Sequence, residues 1–292
     1  MALKSKATVL LAGPTASGKS ALALQLARTR GGIVINADSM QVYGELSVLT
    51  ARPSPADETA APHRLYGHVA AAEAYSVARW LEDVAAVVAQ VREAGAVAII
   101  VGGTGLYFKA LTEGLSAVPR VPDEVRRRWR QLATQAPPGE LHRILAGRDP
   151  VMAARLAPGD TQRLTRALEV MEATGRSLAE WQALPGVPLV RAEVADCLVV
   201  RRPRSELHDR CDRRLDAMIE AGALDEVARL VELELPDDAP VMRALGVRPL
   251  AAHLVGRLSR DQAVAQAKLE TRQYVKRQET WLNRNMSSWK IV

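Results

Sequence analysis

The sequence predicts an α/β protein in which helices flank a parallel sheet and an all-helical insertion divides the sheet-forming segments along the chain. Three observations support this prediction. Short apolar runs alternate with helical patterns up to about residue 116, and a glycine-rich loop joins the first run to the first helical pattern. After Pro119 arginine-rich helical stretches follow, and no strand pattern returns before Ala195. Alternating strands and helices are typical of parallel sheets, because parallel neighbours need a long crossover connection.

The first strand and the first helix enclose a phosphate-binding loop. Residues 7–12 read ATVLLA, an apolar run typical of a buried parallel strand. Residues 21–28 read ALALQLAR, which are almost all strong helix formers. The segment between them reads GPTASGKS and fits the pattern G-x4-G-K-[ST] at every fixed position. The sequence therefore predicts a P-loop NTPase-like core whose di- or triphosphate site consists of Gly13, Pro14, Thr15, Ala16, Ser17, Gly18, Lys19 and Ser20.

Each fixed position of this loop has a physical role. Glycines let the backbone wrap closely around an anion, and the amides of the loop and of the following helix donate to its oxygens. Lys19 adds a positive charge, and the hydroxyl of Ser20 is the predicted protein ligand of a magnesium ion that bridges the phosphates. We therefore expect Mg2+ as the cofactor, although the loop does not identify the phosphate compound or the reaction.

Two further strands and one long helix complete the first part of the core. Strands are predicted over residues 32–37 and 97–101, and a helix over residues 76–94 that Gly95 ends. Polar or glycine-rich segments, residues 38–41 and 102–105, follow the two strands. Because open α/β sheets bind ligands at the carboxyl ends of their strands, we expect both segments and the phosphate loop to converge on one cleft.

The change of pattern after Pro119 divides the chain into three segments. We expect residues 1–118 to form the first part of the P-loop core, residues 119–192 to form the helical insertion and residues 193–292 to form the second part of the core. The last segment should contain a strand over 195–200 and C-terminal helices over 204–221, 224–234 and 259–283.

The charge pattern permits a polyanionic partner. The net charge is +6, and residues 120–176 hold 11 arginines, no lysine and 7 acids. Arginine suits bidentate phosphate contact and stacking on bases. The alternative is that the whole sequence favours arginine, and that these side chains only cover helical surfaces exposed to solvent.

The remaining composition favours a cytoplasmic protein. The sequence contains no run of about 18 apolar residues, so no membrane span is predicted. The N-terminal residues MALKSK lead directly into the first strand, which leaves no room for a signal peptide. Cys197 and Cys211 belong to no metal or redox motif and are expected to be reduced thiols.

Four blocks of sequence together resemble the bacterial type of tRNA dimethylallyltransferase, also called tRNA isopentenyltransferase. The first is the phosphate loop, and the second is NADSMQVY, Asn36–Tyr43. The third is VGGTGLY, Val101–Tyr107, followed downstream by DTQRLTRALEV, Asp160–Val170. The fourth is TRQYVKRQETW, Thr271–Trp281. The blocks occur in the family's order and span nearly the whole chain.

The resemblance implies a function and its partners. Members of this family transfer a five-carbon dimethylallyl group from dimethylallyl pyrophosphate to N6 of adenosine 37 in tRNA, and they use magnesium. The phosphate loop would then bind the pyrophosphate leaving group rather than ATP. The helical insertion would bind tRNA. The implied partners are the tRNA anticodon stem-loop and dimethylallyl pyrophosphate, with no membrane and no obligatory protein partner.

Two residues at strand ends are candidates for the chemistry. Asp38 is the predicted base, because an ionised carboxylate can accept a hydrogen bond from the N6 amine and take its proton as the C–N bond forms. The alternatives are an acid that organises magnesium and a cap for a following helix. Thr104 matches a family threonine whose hydroxyl would bridge Asp38 and the substrates; it would otherwise cap the helix that follows Gly103.

An arginine in the second part of the core is a candidate for the leaving group. Arg210 matches a family arginine that contacts the pyrophosphate. Its alternative is an ion pair on the helix surface with Asp212 or Asp216. Arg213 and Arg214 are weaker candidates for the same role.

An adenine in an anticodon loop must leave its stack to reach such a cleft, where stacking and edge hydrogen bonds would recognise it. Ser39 and Gln41 are predicted to read the adenine or its neighbour, and the insertion is predicted to grip the loop from the other side. The full set of predicted tRNA contacts is Asp38, Ser39, Met40, Gln41, Thr104, Arg126, Gln162, Arg163, Leu164, Thr165, Arg166, Lys276, Arg277 and Gln278.

The last predicted helix carries a basic stripe. Lys268, Arg272 and Lys276 recur four residues apart and are predicted to contact RNA phosphates, unless they form a solvated face. Tyr274 and Trp281 of the same helix are expected to pack on the core.

Two segments depart from the family pattern. Gly44–Pro53 reads GELSVLTARP where the family often has a stretch ending in A-K-P, and Arg52 keeps the charge of that lysine. Gly246–Arg248 lacks an aromatic residue that the family often has. Contacts implied at these two segments are therefore in doubt.

Two other function classes remain open from the residues alone. A P-loop kinase would need an ATP base pocket and would not need an arginine-rich insertion. A nucleotide-dependent RNA-binding switch without covalent chemistry would not need Asp38 beside Thr104.

Overall fold

The computed structural model describes residues 8–292 of the chain. Ala7, the first residue of the predicted opening strand, lies outside the described residues, as does the N-terminal segment on which the signal-peptide expectation rests.

Six strands form one sheet in which all neighbours are parallel. In the order β3-β2-β4-β1-β5-β6, β1 lies at the centre between β4 and β5. The predicted parallel α/β core is confirmed. The two edge strands were not predicted, because two residues carry no periodic pattern. The strands are β1 (Thr8–Ala12), β2 (Gly32–Asn36), β3 (His63–Arg64), β4 (Val97–Gly102), β5 (Asp196–Val199) and β6 (Lys290–Ile291).

The central strands are continuous apolar runs because helices cover both faces of the sheet. Leu10 and Leu11 are neighbours in β1 and point to opposite faces, yet both are fully buried. On the face opposite the helix Lys19–Arg30, the Trp80 ring stacks on Tyr107 with centroids 4.2 Å apart, and its indole N–H donates to the carbonyl of Asn36 at 2.9 Å. Trp80 therefore holds the carboxyl end of β2, which leads into the predicted site.

Helices connect the strands of the sheet, and a longer run of helices lies between β4 and β5. The long helices begin and end at the predicted signals: Ser76 caps the helix that starts at Val77 by accepting the N–H of Arg79, and Gly95 follows its end with φ +66°. The helices are α1 (Lys19–Arg30), α2 (Pro55–Ala60), α3 (Val77–Glu93), α4 (Gly105–Glu113), α5 (Asp123–Gln135), α6 (Glu140–Arg148), α7 (Pro150–Ala153), α8 (Thr161–Thr174), α9 (Leu178–Ala183), α10 (Arg204–Glu220), α11 (Ala223–Val231), α12 (Val247–Leu254) and α13 (Arg260–Asn285).

The chain divides into two compact units, one formed by Met1–Thr112 with Leu189–Val292 and the other by Glu113–Pro188. We call them the core unit and the helical unit. The helical unit, all of which is described, contains helices and no strand. Its own core includes Trp129, Leu145, Leu164 and Leu168.

The helical unit begins and ends a few residues before the predicted insertion at 119–192, and two glycines explain the difference. A Cβ atom on Gly114 would lie 2.4 Å from the amide nitrogen of Val187, and one on Gly186 would lie 2.6 Å from the carbonyl oxygen of Glu113. The outgoing and returning segments thus approach backbone to backbone at these glycines, where the unit begins and ends.

Two expectations from composition can be compared with the structure. Among the described residues, no helix combines the length and the apolar character that crossing a bilayer requires. Both cysteines are thiols, as predicted, and Cys211 is buried on α10 beside the phosphate loop.

Candidate active site

The three segments predicted to converge are joined at the carboxyl ends of β1, β2 and β4. The N–H of Thr104 donates to the carbonyl of Ala37 at 3.2 Å, and the N–H of Ser39 donates to the Thr104 hydroxyl oxygen at 2.9 Å. Position 103 lies within 3.6 Å of the phosphate loop and of the Asp38 carboxylate when a Cβ is placed on it. The structure therefore brings these segments together in one site.

The phosphate loop ends in the first turn of α1. Gly18, with φ +97°, precedes α1, whose first N–H groups have no partners within a helix. The Ser17 residue is fully buried, and its hydroxyl has no hydrogen-bond partner among the described residues. Unpaired donors at a helix start, together with an unpaired buried hydroxyl, favour an oxygen-rich anion as the ligand.

Lys19 supplies the charge of this loop under unusual conditions. Its Nζ donates to the carbonyl of Pro14 at 3.2 Å. Burial lowers the pKa of Lys19 to about 8; the negative charge of Asp38 opposes this shift, and the positive charge of Arg214 adds to it. The surrounding groups thus neutralise the positive charge of Lys19 only in part. An anion bound in the loop would neutralise it further.

Three arginines of the second part of the core attach to the loop. Arg202 Nε donates to the carbonyl of Ser17 at 2.7 Å, and Arg210 Nε donates to that of Ala16 at 2.7 Å. Arg214 donates to the hydroxyl of Thr15 at 3.0 Å. Sequence reasoning favoured only Arg210 and missed Arg202. The available signal was its position directly after a strand, at the same edge of the sheet as the other site segments.

The predicted alternative for Arg210 is wrong. Its acidic contact is Glu206, at 3.8 Å, one turn earlier on α10. Asp212 and Asp216, which were the proposed partners, instead pair with Arg272 at 2.6 Å and Lys268 at 2.7 Å on α13. Arg210 therefore contacts Glu206 on its own helix and the carbonyl of Ala16 in the phosphate loop.

A cleft of about 420 Å³ opens over the phosphate loop. Its charged lining residues are one lysine and three arginines, and no acid lines it. Burial lowers the pKa of Arg214 in this group, and the positive charge of Arg210 adds to the shift. The residues that line the cleft are Ala16, Gly18, Lys19, Ser20, Ala51, Arg210, Arg213 and Arg214.

Asp38 lies half-buried beside this cleft. Its Oδ1 accepts the N–H of Met40 at 3.0 Å, and its own N–H donates to the side chain of the fully buried Asn36 at 2.8 Å. No helix begins directly after Asp38, so its predicted role as a helix cap is wrong. The Asp38 carboxylate instead stabilises a turn. Burial raises the pKa of Tyr107 and of Tyr274, and the negative charge of Asp38 adds to both shifts.

Thr104 holds the Asp38 loop in place. Besides accepting from the Ser39 N–H, its hydroxyl lies 3.3 Å from the Ser39 hydroxyl. Both oxygens are at the mouth of the site and only partly buried. Thr104 thus lies where the prediction needs it, next to Asp38 and ahead of α4.

Two glutamines that were predicted to contact tRNA serve the protein's own backbone instead. Gln41 Nε2 donates to the carbonyls of Thr50 and Ala51 at 2.9 and 2.8 Å, so its N–H groups are not available to read a base. Gln278 is only 6% exposed and bonds to the backbones of Thr15 and Gly103. The prediction for Gln278 is wrong, because both ends of its buried amide bond to backbone groups 263 and 175 residues away in the sequence. For Gln41 it is wrong for the amide N–H groups, which bond to backbone carbonyls 9 and 10 residues further along the chain.

The divergent segment at residues 44–53 is a fixed loop. The buried carboxylate of Glu226 on α11 accepts the N–H groups of Ser47, Val48 and Leu49 at 2.6, 2.8 and 2.9 Å. Arg52 turns back to the carbonyls of Tyr43 and Gly44 at the start of the loop, at 3.1 and 3.0 Å, so its charge is not aimed at the phosphate loop.

The other departure from the family pattern is buried. Val247, which stands where the family often has an aromatic residue, begins α12 and is 0% exposed in the core. This position therefore presents no side chain to a ligand.

The basic residues predicted on α13 divide into two groups. Lys268 and Arg272 face α10 and are bound by its acids, so the predicted continuous stripe is wrong. Lys276 and Arg277 are exposed, and the Arg277 guanidinium lies 5.5 Å from the centroid of the Tyr274 ring. Trp281 packs against the hydrophobic core as predicted.

Within the helical unit, the predicted tRNA contacts also divide by exposure. Leu164 is fully buried in the core of the unit, and the hydroxyl of the buried Thr165 donates to the carbonyl one turn earlier at 2.7 Å. Neither side chain can contact RNA, because α8 turns this face inward. Gln162, Arg163 and Arg166 are exposed on the opposite face, and Arg126 is partly exposed on α5.

The exposed arginines of this unit are held by acids. Arg163 pairs with Asp160 at 3.3 Å, and Arg166 pairs with Glu169 at 3.2 Å. Arg126 pairs with Asp123 at 3.5 Å. Each pair joins residues three apart on one helix, so the guanidinium groups stay at the surface with N–H donors to spare.

The donor set at the phosphate loop fits magnesium in one mode. The described residues contain no group of three or more histidine, cysteine, aspartate or glutamate side chains that could enclose a metal ion. Magnesium usually keeps several waters and binds through substrate phosphates plus one or two protein oxygens. The exposed hydroxyl of Ser20, beside the cationic cleft, meets that requirement.

Comparison with known proteins gives a uniform result for the sequence. A family model described as IPP transferase matches residues 41–285. The tRNA dimethylallyltransferase of Azorhizobium caulinodans is 52% identical over 281 residues, which cover 96% of this chain and 90% of that protein. The tRNA dimethylallyltransferase of Rhodopseudomonas palustris is 53% identical over 286 residues, which cover 97% of this chain and 90% of that protein.

Solved structures give the same result for the fold. The full-length tRNA isopentenylpyrophosphate transferase of Bacillus halodurans matches with a TM-score of 0.70 and 29% identity, over 99% of this chain and 90% of that chain. A eukaryotic dimethylallyltransferase acting on tRNA matches with a TM-score of 0.77 and 28% identity, over 94% of this chain and 69% of that chain.

Proposed function

The chain belongs to the tRNA dimethylallyltransferase family, and we propose that it transfers the dimethylallyl group of dimethylallyl pyrophosphate to N6 of adenosine 37 in the tRNA anticodon loop. It is a transferase that attaches a dimethylallyl group to tRNA. Family membership rules out the kinase and the RNA-binding switch as its activity. The cytoplasm is the compartment that we propose.

One observation supports dimethylallyl pyrophosphate as the donor: the cleft over the phosphate loop is lined by four cationic side chains and by no acidic one. A pyrophosphate group matches that charge, and its oxygens can accept from the N–H groups of the first turn of α1. As the C–O bond to the pyrophosphate breaks, negative charge grows on the leaving oxygen. Lys19, Arg210 and Arg214 are already in place to stabilise it, which lowers the barrier without a rearrangement.

Asp38 is the group that we propose for the proton. The exocyclic amine of adenine is a weak nucleophile because its lone pair is delocalised into the ring. With Oδ1 held by the backbone of Met40, the carboxylate is oriented to accept one N6–H. The proton passes to Asp38 as the C–N bond forms, while the Thr104 hydroxyl keeps the Asp38 loop against the site.

Magnesium is part of the proposal, with Ser20 as its protein ligand. When bound, the ion would offset the charge of the pyrophosphate. The residues of this chain bind and orient the donor around that position.

Exposed or partly exposed residues of the helical unit and of α13 are the proposed contacts for tRNA. In the helical unit these are Arg126, Gln162, Arg163 and Arg166, and on α13 they are Lys276 and Arg277. Their guanidinium and ammonium groups suit phosphate contact. We assign Ser39 and Met40, beside Asp38, to the flipped adenine or its neighbour.

A labelling experiment tests this function. The protein is incubated with bulk tRNA and one of three labelled compounds: dimethylallyl pyrophosphate carrying its label in the allyl group, ATP or GTP. We expect label in tRNA from the allyl compound alone, and none when adenosine 37 of a defined tRNA is replaced by guanosine. Label that persists after this replacement would contradict the acceptor, and transfer from ATP or GTP would contradict the donor.

A further inference from the structure

Gln278 connects the two halves of the proposed site. Its Oε1 accepts the N–H of Thr15 in the phosphate loop at 2.8 Å, and its Nε2 donates to the carbonyl of Gly103 at 2.9 Å. With a residue exposure of 6%, the side chain is out of reach of bulk solvent.

The two backbone bonds join segments with different roles. Thr15 belongs to the loop that we propose for the pyrophosphate, and its hydroxyl also accepts from Arg214 at 3.0 Å. Gly103 precedes Thr104, which holds the Asp38 loop at 2.9 Å. A single amide on α13 thus connects the donor loop to the acceptor side.

The approach of Gln278 to Gly103 requires a glycine there. A Cβ on residue 103 would lie 2.4 Å from the Gln278 nitrogen, closer than real Cβ contacts allow. The same Cβ would lie 3.5 Å from the carbonyl oxygen of Gly13 and 3.6 Å from Asp38 Oδ2. The bridge therefore occupies the narrow space where the phosphate loop, the Asp38 loop and α13 meet.

We infer that Gln278 is a positioning residue, which holds the phosphate loop and the Gly103 segment at the separation that aligns the donor carbon with the acceptor amine. The inference rests on the proposed function. A group-transfer reaction is sensitive to this separation, because a shift of about 1 Å in a reacting group can cost roughly a hundredfold in rate. An amide suits the role because it can accept from one backbone and donate to the other at once.

The test uses two variants of this residue and a matched control. Gln278→Met keeps the size and removes both bonds. Gln278→Glu keeps the acceptor for Thr15, but its carboxylate can donate to Gly103 only when protonated. Gln273→Glu makes the same chemical change at an exposed position of the same helix. Single-turnover rates are measured with both substrates saturating, from about pH 5.5 to pH 8.5, per molecule of protein that binds the donor.

We expect Gln278→Met to lower the normalised rate roughly ten- to a hundredfold. Burial raises the pKa of a glutamic acid, so Gln278→Glu should regain its donor as the pH falls. Its rate relative to wild type should therefore rise about tenfold or more from pH 8.5 to pH 5.5, while the ratio for Gln273→Glu stays flat.

Two results would overturn the inference: a Gln278→Met rate within about twofold of wild type, or a flat pH ratio for Gln278→Glu. A merely structural role would lower the amount of donor-binding protein and leave the normalised rate unchanged. Failure of the proposed function is distinguishable, because the wild-type protein itself would then not transfer the allyl group to tRNA.

Discussion

The carboxylate of Asp38 has one oxygen committed to the backbone of Met40 and one directed towards the Gly103 segment. Replacing Asp38 by alanine should lower the transfer rate about 10²- to 10⁴-fold, because the acceptor amine loses its proton acceptor. Asp38→Asn keeps the Met40 bond and removes only the basicity, so it should show a similar loss. Single-turnover kinetics measure the effect.

The control for Asp38 is the binding of dimethylallyl pyrophosphate, which we expect to remain nearly intact in both variants. An Asp38→Asn enzyme with a near wild-type rate would remove the carboxylate from the mechanism.

Lys19 predicts a pH dependence of donor binding. Burial lowers its pKa to about 8 in the free protein, and a bound pyrophosphate would raise it again. Below about pH 8 the ammonium is already charged and binding needs no proton. Above that value the free protein must take up a proton to bind, so affinity should fall by up to about tenfold per pH unit. Isothermal titration across pH 7 to 10 measures this.

Two variants serve as controls for the Lys19 prediction. Lys19→Arg stays charged throughout this range and should bind the donor without the alkaline decline. Lys19→Ala should weaken donor binding at every pH and leave tRNA affinity largely unchanged. A collapse of tRNA affinity in Lys19→Ala would show that the two substrates are assigned to the wrong places.

At the scale of elements, the contact between α11 and the 44–53 loop should contribute measurably to stability. Glu226→Ala would leave three backbone N–H groups without their ionised acceptor, because Ser47, Val48 and Leu49 all donate to that carboxylate. The expected loss in the free energy of unfolding is roughly 2–4 kcal/mol. Urea unfolding measures it, and hydrogen exchange at residues 47–49 should accelerate.

Asp225→Ala is the matched control, because it removes an exposed acid from the same turn of α11. It should change stability by less than about 1 kcal/mol, through the helix dipole alone. Equal effects of the two variants would mean that the loop does not depend on Glu226.

Elements with strong local signals were predicted closely. The predicted ranges for α3, α10 and α13 lie within two residues of the observed ends at both termini, because periodic apolar positions and caps such as Ser76 act within one helix. The short elements β3 and β6 were missed because their pairing with β2 and β5 comes from the sheet and not from their own residues.

At the scale of the whole molecule, the helical unit predicts a salt effect on tRNA binding. Residues 120–176 have 11 basic and 7 acidic residues. Because phosphate contacts release counterions, each adds roughly 0.7 to 0.9 to the slope of log affinity against log salt. Replacing Arg163 and Arg166 by alanine should lower that slope by about one to two units. The affinity for dimethylallyl pyrophosphate should not change.

Arg30 and Arg92 supply a control with the same loss of charge. They lie at the ends of α1 and α3 that lead into the amino ends of β2 and β4, at the edge of the sheet opposite the site. Their double alanine variant should keep the wild-type slope. An unchanged slope in the Arg163 and Arg166 variant would mean that these two arginines do not contact tRNA phosphates and only cover a surface exposed to solvent.

The sequence by itself determined the parallel α/β core, the phosphate loop, the family and the candidates Asp38, Thr104 and Arg210, because short fixed spacings and local periodicity encode them. Only the tertiary structure decided which polar residues face a ligand. Gln278 bonds to Thr15 across 263 residues of sequence, and Gln41 bonds to the loop at Thr50 and Ala51. Such roles depend on which backbone groups the packed chain leaves unsatisfied, and no local pattern records them.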